Sequence, residues 1–154
     1  MKFFKLLASI LLTAMAGVLG SIATIPNIPT WYAFLHKPWF DPPNWVFGPV
    51  WTTLYILIGI SFYLIWTSSS KKSKRLAYVL FGIQLVLNAA WSVVFFGLYQ
   101  PWAAVVVIVF LLATIIAMLR EYRYFSRKAS WLLVPYIVWV SFAMCLNIAV
   151  AYLN

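Results

Sequence analysis

Long apolar stretches, separated by short charged segments, dominate the pattern of this sequence. Residues 6–35, 42–70, 76–119 and 129–154 contain no Lys, Arg, Asp or Glu. A helix that crosses a bilayer needs about 20 consecutive, mostly apolar residues. The four stretches therefore accommodate five such helices, because the third is long enough for two.

Breaks between the apolar stretches divide the chain into elements. The turn-forming segment 97–101, with Gly97 and Pro101 at its ends, splits the longest stretch near its middle. The pattern predicts an all-α membrane protein, a bundle of five transmembrane helices with a long first loop rich in Pro and Trp. We expect a single membrane domain over residues 1–154, with spans at about 5–26, 45–67, 76–97, 101–120 and 130–152.

The first apolar run has two interpretations. It follows Lys2 and Lys5 and contains the small residues Ala14 and Ala16, as a secretory signal peptide with its cleavage site does. However, the run continues to Ile25 and is long enough to span a bilayer. Small residues four positions apart also let neighbouring helices approach closely. We therefore interpret the run as the first span.

The segment 26–49 contains six of the eight prolines and three of the nine tryptophans in the chain. Proline removes a backbone donor and disfavours helix in the residue before it, so the segment is predicted to be a long non-helical connection. Its aromatic residues fit a belt at the headgroup level of the bilayer. They fit equally a lid, stiffened by proline, over a site between the helices.

Composition and charge agree with a membrane protein and suggest its orientation. Hydrophobic residues make up 66% of the chain and charged residues only 8%. Of the 11 basic residues, all but Lys37 fall on one side of the five-span arrangement, the side of the N-terminus. The positive-inside rule then predicts a cytoplasmic N-terminus and a C-terminus outside. Because topology explains the net charge of +9, nucleic acid is not an expected partner.

Few residues are available for acid–base, metal or redox chemistry. The chain has two carboxylates, Asp41 and Glu121, and one each of Cys and His. A paired-carboxylate mechanism, an intrachain disulfide and a Cys/His metal cluster are therefore not expected. No ionisable residue lies well inside a predicted span, which argues against pumps and ion channels. The sequence also lacks a nucleotide-binding glycine loop and a nucleophile with an adjacent base.

Three predicted spans carry aromatic, small or amide residues at helical spacing, and so on one face of each helix. These are Trp51, Tyr55, Phe62 and Trp66 in span two, Gln84, Asn88, Trp91 and Ser92 in span three, and Pro135, Trp139, Ala143 and Asn147 in span five. One interpretation is that the amides only bond neighbouring helices, at about 1 kcal/mol each. The other is that the three faces line a site for a flat, hydrophobic ligand.

Three motifs resemble one known family. Residues 31–55, WYAFLHKPWFDPPNWVFGPVWTTLY, are similar to the signature of the tryptophan-rich sensory protein or translocator protein family, also called the TspO/MBR or peripheral-type benzodiazepine receptor family. Residues 84–92, QLVLNAAWS, resemble its third helix, and residues 133–143, LVPYIVWVSFA, resemble its fifth. The resemblance extends over essentially the whole chain, in order.

This resemblance implies a five-helix bundle, often a homodimer, that binds protoporphyrin IX or haem-like tetrapyrroles and, in some members, sterols and benzodiazepine-type drugs. No cofactor or metal is implied. The implied ligand site, beneath the first loop, is lined by Tyr32, Trp51, Tyr55, Asn88, Trp91, Trp139, Ala143 and Asn147. The sterol-recognition pattern of animal members needs a basic residue after the last tyrosine, and here Tyr152 is followed only by Leu153 and Asn154.

Three functions compete at this point. The leading hypothesis is an integral membrane protein that binds tetrapyrroles and has a sensory, regulatory or transport role. The enzymatic alternative is light- or oxygen-dependent breakdown of protoporphyrin IX, for which Trp51 and Trp139 would be the catalytic candidates. A porphyrin or lipid translocator is the third, since an apolar cargo does not need a polar path.

Overall fold

A computed structural model of the protein describes residues 2–154, and all regular secondary structure in that range is helical. Five helical segments are long and apolar enough to cross a membrane, which confirms the predicted five-span, all-α architecture. The α-helices are α1 (Lys2–Thr24), α2 (Asn44–Trp66), α3 (Arg75–Ser92), α4 (Pro101–Arg123), α5 (Arg127–Trp131) and α6 (Val134–Leu153). A π-helical turn, Val93–Gly97, extends α3.

The helices form a closed ring in the order α2, α1, α3, α4 and α6. Helix α1 packs against both α2 and α3, α3 packs against α4, and α4 packs against α6. The ring closes between α6 and α2, whose backbones approach each other at few points. Large side chains rather than close backbone packing therefore fill the space between α2 and α6.

Small residues bring α1 and α2 together. Added to Gly59, a Cβ atom would lie 2.7 Å from the Ile10 Cα, and one added to Gly17 would overlap the Tyr55 ring. The Thr13 Oγ1 also lies 2.8 Å from the Tyr55 carbonyl oxygen and donates to it. This is the packing expected of a permanent span, and it accounts for the small residues of the first apolar run.

The first loop, residues 25–43, is less irregular than its proline content predicts. It contains 3₁₀ turns at Ile25–Asn27 and Tyr32–Phe34. The prediction of a non-helical segment up to residue 49 is wrong at its end, because α2 begins at Asn44 and contains Pro49. Proline is tolerated in a membrane helix where nearby hydroxyls and neighbouring helices compensate for the lost hydrogen bond, and the Thr53 Oγ1 donates to the Pro49 carbonyl at 2.9 Å.

Span boundaries also differ from the predicted ones. The first helix begins at Lys2 rather than near residue 5, and α4 continues to Arg123, past the predicted end at 120. The fifth span is not one continuous helix, because turn residues separate α5 from α6 just before Pro135. Proline disfavours helix in the preceding residue and fits the first turn of the helix that follows.

Two apolar clusters form the core. The larger runs along the bundle between α2, α3, α4 and α6, and its fully buried members include Ile58, Ile115 and Tyr136. The smaller lies beneath the first loop and contains Tyr32, Phe95, Phe96, Ala104, Leu146 and Val150. Trp91 packs against both clusters. The predicted ligand-site residues lie where the clusters meet.

Candidate functional site

A chain of hydrogen bonds joins α2, α3 and α6 in the middle of the bundle. The Tyr55 hydroxyl donates to the Asn88 Oδ1 at 2.9 Å, and the Asn88 Nδ2 donates to the Tyr136 hydroxyl oxygen at 2.9 Å. The Tyr136 hydroxyl in turn donates to the Gln84 Oε1 at 3.0 Å. We call these four residues the central network. It satisfies the polar groups of Asn88, which is only 3% exposed.

The second amide of the predicted site joins α6 to the start of α4. The Trp91 indole Nε1 donates to the Asn147 Oδ1 at 3.0 Å, and the Asn147 Nδ2 donates to the Pro101 carbonyl at 2.9 Å. This carbonyl, in the first turn of α4, also lies beside the π-helical turn that follows Trp91. Both amides therefore bond neighbouring helices, and they also fix the positions of the aromatic rings beside them.

Aromatic rings cover the central network on its α2 side. The Trp51 and Tyr55 rings stack with centroids 5.5 Å apart and an angle of 26° between their planes. The Tyr136 ring meets the Trp51 ring edge-on at 6.3 Å. Trp51 is half-buried, so part of its surface is free to contact a ligand. These contacts position a rigid aromatic wall at the junction of α2 and α6.

Trp139 lies in a second group of aromatic rings at the same junction. Its ring is 6.0 Å from that of Phe47 on α2 and 5.4 Å from that of Phe142 on α6. The Phe142 ring is 6.3 Å from the Phe40 ring in the first loop. The Trp139 Nε1 is buried and has no hydrogen-bond partner within residues 2–154. A buried indole N–H without a partner costs free energy, so the group is poised to donate to a bound molecule.

The first loop is held over this end of the bundle by Tyr32. Its ring is 3% exposed and packs against Phe95 and Phe96, with centroids 6.2 Å and 5.6 Å away. The Tyr32 hydroxyl donates to the Asp41 Oδ1 at 2.8 Å. Burial, together with the neighbouring Asp41, raises the pKa of Tyr32 well above its usual range. The Tyr32 hydroxyl therefore remains a neutral donor at any physiological pH.

Two further contacts fasten the loop at its ends. The His36 backbone exchanges two hydrogen bonds of 2.9 Å with the side chain of Asn154, the last residue of the chain. The Tyr99 hydroxyl donates to the Asn27 Oδ1 at 2.9 Å from a residue with a positive φ of 55°. A tyrosine with this φ is strained, so the surrounding contacts must hold it in place.

The aromatic residues of the loop fall into two groups. Tyr32 and Phe40 pack inward, as the lid hypothesis requires. Phe34, Trp39 and Trp45, the last on the first turn of α2, are 86%, 96% and 74% exposed, as residues of an interfacial belt would be. The two interpretations thus apply to different residues of the same segment.

The eight predicted site residues divide between the two polar groups and the aromatic junction. Trp51, Tyr55 and Asn88 belong to the central network and its aromatic cover, Trp91 and Asn147 bond each other, Trp139 and buried Ala143 lie on α6, and Tyr32 lies above them. The sequence argument did not assign Tyr136 or Phe47 to the site. Tyr136 could have been found from its spacing, because it lies three residues before Trp139 on the same helix.

Metal chemistry has little support in the arrangement of these side chains. Within residues 2–154, no three His, Cys, Asp or Glu side chains lie close enough together to hold an ion. His36 is exposed on the first loop, and Cys145 is exposed on α6. The aromatic junction can supply stacking surfaces and a few fixed hydrogen-bond donors, which suits a flat organic ligand.

Comparison with known proteins gives similarity over nearly the whole chain. The model of the TspO/MBR family matches residues 9–153. The chain is 46% identical to the Tryptophan-rich protein TspO of Archaeoglobus fulgidus, over 100% of this chain and 99% of that protein. It is 38% identical to the Translocator protein of Bos taurus (89% and 82% covered) and 32% identical to the Tryptophan-rich sensory protein of Cereibacter sphaeroides (92% and 87% covered).

Proposed function

The chain belongs to the TspO/MBR family of membrane proteins, and from that premise we propose that it binds a tetrapyrrole of the protoporphyrin IX type. The ligand occupies the junction of α2 and α6 beneath the first loop, and its binding serves a sensory, regulatory or transport role. The side chains of this junction supply shape, stacking and hydrogen bonds rather than bond-breaking chemistry.

The buried, unpartnered Nε1 of Trp139 is the observation that carries the proposal. It lies among the rings of Phe47 and Phe142, where the α2 and α6 backbones are not in close contact. A flat macrocycle between these helices would stack on the rings and accept a hydrogen bond from the indole. Aromatic contacts of this kind contribute about 0.5–1.5 kcal/mol each beyond the area they bury.

The charge of the loop suggests how the ligand is oriented. Lys37 is the only basic residue expected on this side of the membrane. Its Nζ lies 4.5 Å from the centroid of the Tyr32 ring and 3.8 Å from the Asp41 Oδ2, so it is held near the buried part of the loop. The propionates of protoporphyrin IX are anionic and are placed at the loop, while the apolar edge of the macrocycle points into the bundle.

A metal-free porphyrin fits this junction better than haem does. Haem iron is usually held by His, Cys, Met or Tyr. The His36 and Cys145 side chains are exposed, one on the loop and one on the outer part of α6, and Tyr55 and Tyr136 are occupied by the central network. The proposed orientation of the protein in the membrane has the N-terminus in the cytoplasm and the loop site outside.

A titration with protoporphyrin IX, first in the dark and then in light, tests the function. The protein is reconstituted in lipid nanodiscs, and quenching of its tryptophan fluorescence is followed in the dark. We expect saturable binding, with the porphyrin spectrum unchanged over time. Absence of saturable quenching would contradict the proposal.

The same experiment distinguishes binding from the alternative functions. A new bilin-like absorption band that appears only under illumination, and only with the protein present, would establish the degrading enzyme instead. Transport is measured separately as porphyrin flux into sealed vesicles with and without the protein. A receptor without transport activity gives saturable binding and no added flux.

A further inference from the structure

A cavity of about 330 Å³ lies at the opposite end of the bundle from the first loop. It is lined by Leu119, Arg123, Arg127, Ser130, Trp131 and Val134, between the end of α4 and the start of the fifth span. We call it the α4–α5 cavity. A neighbouring cavity of about 440 Å³ is lined by Arg120, Tyr124 and the same two arginines. Three arginines thus converge where α4 ends.

The chain itself does not neutralise these arginines. It has only two carboxylates, and each is paired with a lysine: Asp41 with Lys37, and Glu121 with Lys72. The Lys72 Nζ donates to both oxygens of Glu121, at 2.7 Å and 2.9 Å. Arg120, Arg123 and Arg127 make no side-chain hydrogen bond or ion pair in the described part of the chain. Their guanidinium groups are therefore available to an anion from outside.

Apolar residues complete the cavity on the bilayer side. Leu119 and Val134 line it below the arginines, and Trp131 is 72% exposed at its edge. Tryptophan is enriched at the headgroup level of membranes because its ring is amphipathic. The cavity therefore combines two planar cationic groups with an apolar wall at the depth where a phospholipid has its phosphate and the start of its acyl chains.

Short hydrogen bonds hold the backbone of this cavity in place. The Ser130 Oγ donates to the Leu119 carbonyl on α4 at 2.9 Å, and the Ser61 Oγ on α2 donates to the Ala129 carbonyl at 2.7 Å. The Ser126 Oγ accepts from the Ala129 N–H at the start of α5. The α5 helix is thereby tied to both α2 and α4, so Arg127 and Trp131 project from a fixed element rather than from a mobile loop.

We propose that the α4–α5 cavity binds the headgroup of an anionic phospholipid, with Arg123 and Arg127 on the phosphate and Trp131 and Val134 along the acyl chains. Guanidinium groups match phosphate oxygens through paired hydrogen bonds. Basic sites between membrane helices on the positively charged side bind lipid headgroups in this way. A zwitterionic lipid satisfies the site less well, because its own cation competes for the phosphate.

Native mass spectrometry of the full-length protein, titrated with phosphatidylglycerol or phosphatidylcholine in detergent, tests the proposal. The variant R123Q/R127Q removes both cationic contacts. The control variant K71Q/R75Q removes the same charge from the same end, at exposed positions outside the cavity. We expect wild type to prefer phosphatidylglycerol, and R123Q/R127Q to bind it about tenfold more weakly, as the loss of two cationic contacts implies. The control variant should stay within about twofold of wild type by the same argument.

Several results would overturn the lipid site. Equal binding of the two lipids by wild type would exclude recognition of charge. Equal weakening in both variants would mean diffuse attraction to a basic surface. Displacement of phosphatidylglycerol by glycerol phosphate at the same concentration would make it a site for soluble anions. A thermal unfolding midpoint reports whether each variant is folded; if the double variant is not, R123Q and R127Q are measured singly, each with an expected loss of about threefold.

Discussion

The Tyr55 hydroxyl on α2 donates a 2.9 Å hydrogen bond to the Asn88 Oδ1 on α3, although the two helices are not close neighbours in the ring. The long tyrosine side chain reaches α3 across the interior, past α1. Gly17 of α1 makes room for it, since any Cβ at that position would overlap the Tyr55 ring. The central network thus depends on the absence of a side chain on a third helix.

Replacing Tyr55 with Phe should lower the free energy of unfolding by about 0.5–1 kcal/mol, the usual value of a polar contact between membrane helices. The substitution keeps the stacking on Trp51 but leaves the Asn88 Oδ1 without its donor. Unfolding in detergent is the measurement. Tyr63 of α2, whose hydroxyl has no protein partner within residues 2–154, gives the matched control Tyr63→Phe. If the two substitutions have equal effects, the hydroxyl of Tyr55 does not stabilise the bundle.

Gly59→Ala should destabilise the protein much more than Gly82→Ala. The new methyl group at residue 59 would lie 2.7 Å from the Ile10 Cα, a backbone atom that cannot move unless α1 and α2 separate. At Gly82 no atom lies within 4 Å, and alanine favours helix over glycine by about 0.5–1 kcal/mol. Thermal unfolding of the two variants compares them directly. A stable Gly59→Ala protein would show that the α1–α2 contact is looser than described.

Much of the fold could be predicted because the bilayer imposes a simple rule on sequence. The gaps between charged residues located five spans, and Pro101 marked the start of α4 correctly. Helix ends near charges were harder, since α4 continues through Arg120 and Glu121, whose carboxylate is paired with Lys72. A pairing across 49 positions leaves no local signal.

The candidate site was predictable only face by face. Spacing of four residues placed Trp139, Ala143 and Asn147 on one side of the last span, but it does not indicate which partner each side chain meets. Asn147 bonds Trp91 and the Pro101 carbonyl, and Trp139 has no partner for its Nε1. Whether an amide or an indole is satisfied depends on how helices pack, and sequence periodicity carries no information about that.

Loosening the first loop should speed release of the ligand. Replacing Pro42 and Pro43 with Gly removes conformational restriction just before α2 and leaves the aromatic contacts of Tyr32 and Phe40 intact. We expect the porphyrin off-rate to rise several-fold with little change in the on-rate, because affinity differences among variants usually appear in the off-rate. Stopped-flow fluorescence measures both rates. The control is Ser69→Gly/Ser70→Gly at the other end, and unchanged rates in the proline variant would refute the lid.

Topology can be tested with single cysteines. In a Cys145→Ser background, cysteines at Ser70 and at Ala33 should react with an impermeant thiol reagent from opposite sides of the membrane, Ser70 from the cytoplasm. The native Cys145 is exposed on α6 and faces lipid, so it should not react from either side. Intact cells and inverted vesicles are compared. Labelling of positions 33 and 70 from the same side would contradict the five-span arrangement.

The most direct test of the proposed ligand site is the dissociation constant of protoporphyrin IX in the dark for Trp139→Ala, Trp139→Phe and Trp102→Ala. Trp102 is 58% exposed on α4 and controls for the loss of one tryptophan. We expect Trp139→Ala to bind about tenfold or more weakly through loss of stacking and of the indole donor. Trp139→Phe, which loses only the donor, should bind several-fold more weakly, and Trp102→Ala should match wild type. Wild-type affinity in folded Trp139→Ala would show that the ligand does not bind at the junction of α2 and α6.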